Sequence, residues 1–592
     1  MRAFVEVNEA GNGAIVAFRY SEQAVAAIKR VPGARFVPHE RGGPHWSLPL
    51  EITVLRRLRE EFGSELQLGD AIREWGKTAV KEETKLHALA ASDDCPVEDL
   101  KIFKKLPELA VWLREYQRAD VMFLGQKSAM NLNEPRLGKT TETISALYEA
   151  GLERGPHLVV APQKSLDSVW RMEIERWTDG HVFTYSGSVK ADEEDFYKAV
   201  TRSRKPVWWV TTADMIRRGQ FPEVKEWASF TVDEFHKTGL AEVKNKFPKA
   251  AGAIPAQRKF VLSGTPMGGK PIKLWGALHF LYPDIFTSKW RWAEQWLEIE
   301  TAWGNHKKIK GIRPGREDEF YKHLAPYTVR RLREEVLPQL PPKLAIDVWC
   351  EMTATQEKQY RTFAKDAEVR IDEYNLSASG ILAEYTRLKQ FANSRCEVEV
   401  LGIDEETGSV DMKVKATPDS GKLEYLMEKL AEVGIDPDDP SGDTQAIVTS
   451  QFRETAEMIH NYLSEKGIGS ALFTGKTGKK ESERIQRAFK AGHDNEGLRV
   501  CCMVTTIGVG ITLDNVESVH VFDETWVPDD QDQVTDRAVN TTRLHQVTMF
   551  FYRSRETIEE YVKQVNDEKF DVNASVLDLR RRAFKAEMKE RK

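Results

Sequence analysis

Two series of short apolar runs, each set off by turn residues and followed by a helical stretch, constrain this 592-residue chain most. The first series is LVVAP, VWWVTT, FTVDE and KFVLSGTP; the second is AIVTSQF, GSALFTG, LRVCCMVTT and SVHVFDE. Such runs lack the in/out alternation of a half-solvated strand. They suit strands buried on both faces, as when crossover helices cover a parallel sheet. The pattern predicts an α/β protein with one parallel-sheet lobe over 106–285 and a second over 418–570. Between them, 286–417 is charged and aromatic with helical spacing, which predicts a helical insertion or connector. Its tryptophan-rich stretch, KWRWAEQWLEIETAW, predicts a helical packing face. Residues 1–90 predict a small α+β domain: AIVAFRY as a strand, SEQAVAAIKRVPG as a capped helix, RFVPHERGGPHWSLPL as a hairpin and EITVLRRLREEFG as a helix. Residues 91–105 form a linker with turn residues, and 571–592 a basic tail.

Charge and cysteine usage narrow the function classes. A formal net charge of −6 argues against coating nucleic acid through overall charge. It leaves room for a local basic groove, because phosphate contacts need only a few placed Lys and Arg. The five cysteines show no metal-ligand spacing, and Cys501 and Cys502, adjacent in an apolar run, read as small hydrophobes. A disulfide framework is not expected, which points to a reducing compartment. MRAFVEVNEAGNG lacks the pattern of a secretory signal, and no apolar window has the length of a membrane span. The expected localisation is cytoplasmic or nucleoid-associated, inside a bacterial cell or, for a viral protein, inside a host cell.

The chemistry concentrates in NEPRLGKTTETISAL, which follows an apolar segment and opens a helix. Gly138, Lys139 and Thr140, with Thr141 behind them, end a phosphate loop. Glycine lets the backbone approach phosphate oxygens, and the N–H groups of the loop and helix start then point at the anion. Lysine neutralises the β- and γ-phosphates, and the threonine hydroxyl holds Mg²⁺. Asn133 stands where the general pattern wants a first glycine. Further along, the apolar run FTV ends in Asp233-Glu234-Phe235-His236. A strand ending in two carboxylates places one beside the metal and one near the attacking water: Asp233 to organise Mg²⁺, Glu234 to orient or deprotonate water. An acidic helix cap is the alternative for that pair taken alone. ATP and Mg²⁺ are therefore the expected cofactors.

The order of motifs resembles the Snf2 family of superfamily 2 ATPases, DEAH-box-like helicase relatives. LREYQRADVMFL is similar to that family's adenine-side segment, with Gln117 as the base-reading residue. NEPRLGKT resembles its phosphate loop, LVVAPQKSLDSVWRMEIERW its motif Ia, DEFH its DEAH box and LSGTPMGGKPIKLWGALHFLYPDIF its SGTP segment. YTVRRLREEVLPQLPPK, SGKLEYLMEKL, AIVTSQFRETAEMIHNYL and TTIGVGITLDNVESVHVFDETWVPDDQDQVTDRA resemble the blocks that follow. The resemblance spans about 106–569. It implies two RecA-like lobes, ATP in the cleft and DNA across both. It also implies that Arg537 in QVTDRA is an arginine finger stabilising the transferring phosphoryl group. More weakly, FRYSEQAVAAIKRVPGARFVPHERGGPHWSLPL, with Trp46 in WSLP, resembles the HARP module beside some Snf2 motors. In relatives that module engages branched DNA and reanneals it.

Several positions depart from the family pattern. Asn540 occupies the place of a second arginine, and Arg543 follows three residues later, either as a displaced second finger or as an unrelated residue. Gly268-Gly269 stands where Gln-Asn is common. Arg136 replaces a common loop glycine, and Pro135 stiffens the loop. Along the DNA path that the resemblance implies, Lys164, Arg217, Arg218, Arg330, Arg331 and Lys476 are the expected phosphate contacts, positioning without reading sequence. The expected partner is duplex or branched DNA, with no membrane; protein partners are not legible. The reading is an ATP-dependent DNA translocase with annealing or fork-remodelling activity. The alternative is a nucleotide-gated DNA clamp with little turnover.

Overall fold

The computed structural model describes residues 2–38, 44–92, 94–187, 193–240, 245–267, 270–302, 306–337, 344–373, 378–403, 410–438, 442–490, 494–505, 513, 515–526 and 547–567. Two compact units emerge, one up to Leu332 and one from Arg333 onward. The boundary falls inside the expected connector, whose residues divide between the two sheets.

The first unit opens with a five-stranded mixed sheet, order β3-β4-β2-β1-β5. Its strands are β1 Ala3–Val7, β2 Gly13–Phe18, β3 Arg35–Val37, β4 His45–Pro49 and β5 Leu66–Leu68. The expected hairpin is β3 against β4, antiparallel, with Phe36 opposite Trp46 and their rings 5.4 Å apart. Ser21 caps the helix Glu22–Arg30 by accepting from the N–H of Ala24, as the serine position predicts. The helix Asp70–Ala91 carries the chain to the next sheet, so helix occupies the ground before the linker.

That next sheet has seven strands, all parallel, in the order β14-β6-β11-β10-β7-β9-β8. In chain order they are β6 Ala129–Asn131, β7 His157–Val160, β8 His181–Tyr185, β9 Val207–Thr211, β10 Trp227–Val232, β11 Ala256–Leu262 and, after an antiparallel pair β12 Leu297–Ala302 and β13 His306–Ile312, β14 Thr328–Val329. β7, β9 and β10 are buried along their whole length, the consequence of covering both faces. The tryptophan-rich stretch is helical only over Lys289–Trp296 and then becomes β12. Ile299 and Thr301 are β-branched, and β13 supplies the partner strand.

The second unit is a six-stranded parallel sheet, order β15-β22-β21-β18-β20-β19. Before its main run lie β15 Leu344–Cys350 and an antiparallel pair, β16 Cys396–Ile403 and β17 Val410–Ala416. Then come β18 Ala446–Ser450, β19 Ser470–Phe473, β20 Val500–Val504, β21 Ser518–Val521 and β22 Thr548–Ser554. The expected helical connector thus holds four strands of paired ribbon and one strand of each large sheet, besides its helices. All five cysteines are buried and free, Cys501 and Cys502 within β20. Among the described residues, no helix is long and apolar enough to cross a membrane.

Candidate nucleotide site

The site is built at the ends of β6 and β10, two strands of the same parallel sheet. β6 leads into the loop 132–138, and the helix Lys139–Glu149 begins where the sequence places the phosphate loop. Gly138 caps that helix at φ +87°, a conformation side chains rarely adopt, and a Cβ there would stand 2.3 Å from Gln117 Nε2. Arg136 takes φ +65° without being glycine, so the residue that replaces the usual loop glycine keeps a glycine-like backbone. Pro135 packs against Gly264 of the SGTP segment, where a Cβ would meet its ring at 2.7 Å.

Buried hydrogen bonds hold the loop from behind. Gln117 is 3% exposed; its Nε2 donates to the carbonyl of Leu137 at 3.0 Å, and its Oε1 accepts from the N–H of Arg114 at 3.0 Å. The Tyr116 hydroxyl donates to the same Leu137 carbonyl at 3.0 Å. Here the amide of Gln117 is committed to the loop backbone. Asn133, in the place of a glycine, donates to Asp120 Oδ2 at 2.8 Å and to Glu142 Oε2 at 3.0 Å, while Asn131 donates to Glu142 Oε2 at 2.6 Å. Burial and the nearby Asp120 charge push the Glu142 carboxyl up to about 8.

Lys139 points into this loop, donating to the carbonyls of Asn133 at 2.9 Å and Glu134 at 3.1 Å. Burial lowers its pKa, while the charges of Glu234, Asp233 and Glu142 act in the opposite direction. The charges of the carboxylates after β10 are therefore felt at the lysine after β6. Thr141 is turned inward, its hydroxyl donating to Glu173 Oε2 at 3.0 Å.

β10 delivers Asp233, whose N–H donates to the carbonyl of Val160 at 2.8 Å. Its Oδ1 accepts from the N–H of Glu234 at 2.9 Å, and its Oδ2 from Trp170 Nε1 at 3.0 Å. Burial and the adjacent Glu234 charge raise the Asp233 carboxyl to about 6, against the lowering effects of the Trp170 bond and of Lys139. Glu234 sits at φ +46°, a left-handed backbone that turns the chain sharply after the strand. Its Oε2 is buried, lies 3.3 Å from His236 Nδ1 and makes no hydrogen bond among the described residues. His236 Nδ1 pairs with Ser263 Oγ at 2.8 Å, which joins DEFH to SGTP.

The donor set fits a hard divalent cation. The Thr140 hydroxyl and the Asp233 carboxylate are the oxygen donors that would hold it, and each Asp233 oxygen holds one donor and retains acceptor capacity. Mg²⁺ held there would supply positive charge to the phosphate oxygens.

The basic residues fare differently. Arg331, expected on the DNA path, is 0% exposed, its Nε and Nη2 donating to Asp120 Oδ1 at 2.8 and 2.6 Å. A buried carboxylate thus faces its charge inside the unit. Arg330 is half-buried and donates to the carbonyls of Leu132 at 2.7 Å and Gly264 at 3.0 Å, behind the phosphate loop. Arg217 and Arg218, at the end of the short helix Ala213–Arg217, pair with Asp214 at 3.1 and 2.6 Å. Lys164 precedes motif Ia's helical turn, and its carbonyl accepts from Ser168 Oγ at 2.5 Å. Lys476 is exposed in the turn after β19. Arg537, Arg543, Gly268-Gly269 and the basic tail lie outside the described residues.

Asp120, Glu142 and Trp170 went unread in the sequence. Asn133 in place of a glycine and the doubled arginine of VRRL were the available signals, since both substitute a hydrogen-bonding side chain where the loop needs support.

An SNF2-related domain matches residues 108–397, and a helicase conserved C-terminal domain matches 421–542. The chain belongs to the SNF2 family. Among curated proteins, it is 24% identical over 492 residues to the nuclear protein STH1/NPS1 of Saccharomyces cerevisiae, covering 78% of this chain and 35% of that protein. It is 26% identical over 506 residues to the transcription regulatory protein SNF2 of the same organism, covering 80% and 28%. The SNF2-family chain thus spans about a third of the length of those relatives. Among solved structures, it is similar to the Sulfolobus solfataricus SWI2/SNF2 ATPase core in complex with dsDNA, at 21% identity and a TM-score of 0.34, covering 81% of this chain and 94% of that one.

Proposed function

We propose that this SNF2-family chain is a DNA-stimulated ATP hydrolase that translocates on duplex or branched DNA. The observation that carries the reading is the convergence of Lys139 with Asp233 and Glu234 at the ends of two strands of one parallel sheet. In this reading Gly138 and the following N–H groups receive the phosphates, and Lys139 leaves its loop carbonyls for the β- and γ-oxygens. Thr140 and Asp233 hold Mg²⁺. Glu234 orients the attacking water, and its buried Oε2, without a hydrogen-bond donor among the described residues, is the acceptor available for that proton. Gln117 supports the phosphate loop through one amide N–H and reads the base with the remaining N–H and lone pair of its amide; Thr141 lines the loop's inner side. Arg537 keeps the role of finger that its motif implies, with Arg543 as the displaced second one. Lys164, Arg217, Arg218 and Lys476 contact DNA phosphates, and Arg330 acts at the phosphate loop instead.

The test is ATP turnover without nucleic acid and with single-stranded, duplex and forked DNA and RNA, with Lys139→Ala as control. Stimulation by duplex or forked DNA, abolished in the variant, is the expected result. Nucleotide binding without turnover on any nucleic acid would overturn the motor and leave a nucleotide-gated clamp.

A further inference from the structure

The segment after β7 does not continue as an ordinary α-helix. Residues Leu166–Arg171 form a π-helical turn that passes into the α-helix Met172–Trp177. A π turn is intrinsically unfavourable and persists where a side chain must be re-aimed. Leu166, Trp170 and Ile174 all face the core, at 3%, 0% and 0% exposure. The outer face is solvated, with Arg171 pairing to Asp167 at 2.8 Å. Of the core-facing residues only Trp170 carries a polar group, and its Nε1 reaches Asp233 Oδ2 at 3.0 Å.

We propose that Trp170 is a positioning residue for nucleotide hydrolysis: its indole N–H fixes the rotation of the Asp233 carboxylate that holds the divalent cation. The proposal rests on the reading of Lys139, Thr140 and Asp233 given above. Its physical basis is specific. A carboxylate at a strand end rotates about its terminal torsion, which is broad. The Glu234 N–H holds one oxygen, and by itself leaves that torsion free to swing about one contact. The indole holds the other oxygen from a rigid ring with no exposed surface. Two donors on opposite oxygens define the carboxylate plane and leave each oxygen capacity to accept from a cation or its water shell. The same segment grips the phosphate-loop helix, because Glu173 Oε2 accepts from Thr141 at 3.0 Å and from Trp177 Nε1 at 2.9 Å. It also begins beside Lys164, whose carbonyl is bonded to Ser168 within the π turn.

Another indole in the same core provides the control. Trp208 is 0% exposed, and its Nε1 makes no hydrogen bond among the described residues. The experiment uses the full chain with Trp170→Phe, Trp208→Phe, and Trp170 replaced by benzothienylalanine, which keeps the bicyclic shape and lacks the N–H. Binding of a fluorescent ADP is titrated with Mg²⁺ and with EDTA, and kcat and KM for ATP are measured with duplex DNA. Both Trp170 changes should leave metal-free ADP affinity within about twofold, raise the Mg²⁺ midpoint and lower kcat by ~10–100-fold, the scale of one hydrogen bond to a charged group. Trp208→Phe should leave all three unchanged relative to its effect on folding. A benzothienylalanine protein with an unaltered Mg²⁺ midpoint and kcat would overturn the proposal, even if Trp170→Phe were impaired, because packing alone would then account for the residue. Failure of the hydrolase reading appears separately, as a wild-type chain that binds Mg²⁺–ADP and turns nothing over; the Mg²⁺ midpoint then still decides the role of Trp170.

Discussion

Replacing Asp120 by alanine should damage the first unit more than any surface change. Asp120 and Arg331 are both 0% exposed and lie 211 residues apart in sequence. Asp120 Oδ1 takes two guanidinium hydrogen bonds, and Oδ2 takes the Asn133 amide at 2.8 Å. Without the carboxylate, the guanidinium stays charged at every accessible pH and has lost its buried counter-ion. Breaking a buried pair from one side costs about 3–5 kcal/mol. Asp120→Asn retains an acceptor but loses the charge, and should cost nearer ~1.5–3 kcal/mol. Asn133 loses its Asp120 acceptor in the alanine variant and keeps that of Glu142, so nucleotide affinity should fall there as well. Native-state amide hydrogen exchange is the suitable assay, because a chain of two units need not unfold in one step. Opening free energies should drop for the helix Glu115–Leu124 and for β6, and remain unchanged for β18 and β20 of the second unit. The double replacement Asp120→Leu with Arg331→Met should recover most of the loss, since apolar pairs of similar volume replace buried ion pairs at little cost. A loss below ~1 kcal/mol for Asp120→Ala would refute the account of Arg331 as a residue held inside the unit and reopen it as a DNA contact.

Gly138→Ala should weaken nucleotide binding by at least about tenfold, because the left-handed backbone costs an alanine roughly 1–2 kcal/mol and the new methyl displaces the Gln117 amide from Leu137. A nucleotide titration checks it, and near wild-type affinity would show that the loop is not held as described. Acid should destabilise both units through two fully buried histidines. Burial holds His157 down to about 4 and His520 down to about 3, each neutral between neutral partners: Ser229 and the Glu153 carbonyl for one, Tyr552 and Ser518 for the other. Their folded pKa values lie below the unfolded value near 6.5. The stability they carry is therefore complete above that pH and lost as pH falls toward 4 for His157 and 3 for His520, at up to ~1.4 kcal/mol per pH unit for each. Denaturation midpoints of His157→Gln and His520→Gln should show a shallower fall between pH 6.5 and 4.5 than wild type.

The large sheets were legible because burial on both faces writes itself as apolar runs: all eight quoted runs contain, or lie on, strands of the two parallel sheets. The lysine after β6 and the carboxylates after β10 could be set at strand ends because apolar runs precede them, and the strands do end there. What stayed hidden depends on contacts distant in sequence. VRRL reads as a basic cluster, and nothing local says that Arg331 meets Asp120, two hundred residues earlier, in place of solvent. The Lys289–Ala302 stretch has helical spacing at its start, and its change to β12 is decided by pairing with β13. Trp170 looks like a core residue and is one; its polar edge becomes visible only when β7 and β10 lie side by side.

The two units place a buried cation in comparable circumstances. In the first, Arg331 follows β14, the strand on which the chain crosses the sheet edge before the second unit, and β14 pairs with β6 at the root of the phosphate loop. In the second, Lys422, in the SGK segment before the main sheet, is 0% exposed and donates to Glu559 Oε1 at 2.6 Å, to Asn393 Oδ1 at 3.0 Å and to the carbonyl of Phe522 at 2.7 Å. Apolar residues would supply stability in such places at least as well, given the desolvation of both charges. What an ion pair adds is location: a guanidinium or ammonium in an apolar interior has one tolerable position, opposite its carboxylate. Arg331 thereby fixes the exit segment, whose backbone carbonyls at Val329 and Arg331 accept from the N–H groups of Leu132 and Glu134 at 2.8 and 3.1 Å. A shift of that segment cannot occur without moving the phosphate loop or breaking a buried pair worth several kcal/mol. The loop and the chain's exit from the first unit are therefore tied to each other, the coupling that the proposed nucleotide-driven motor would require.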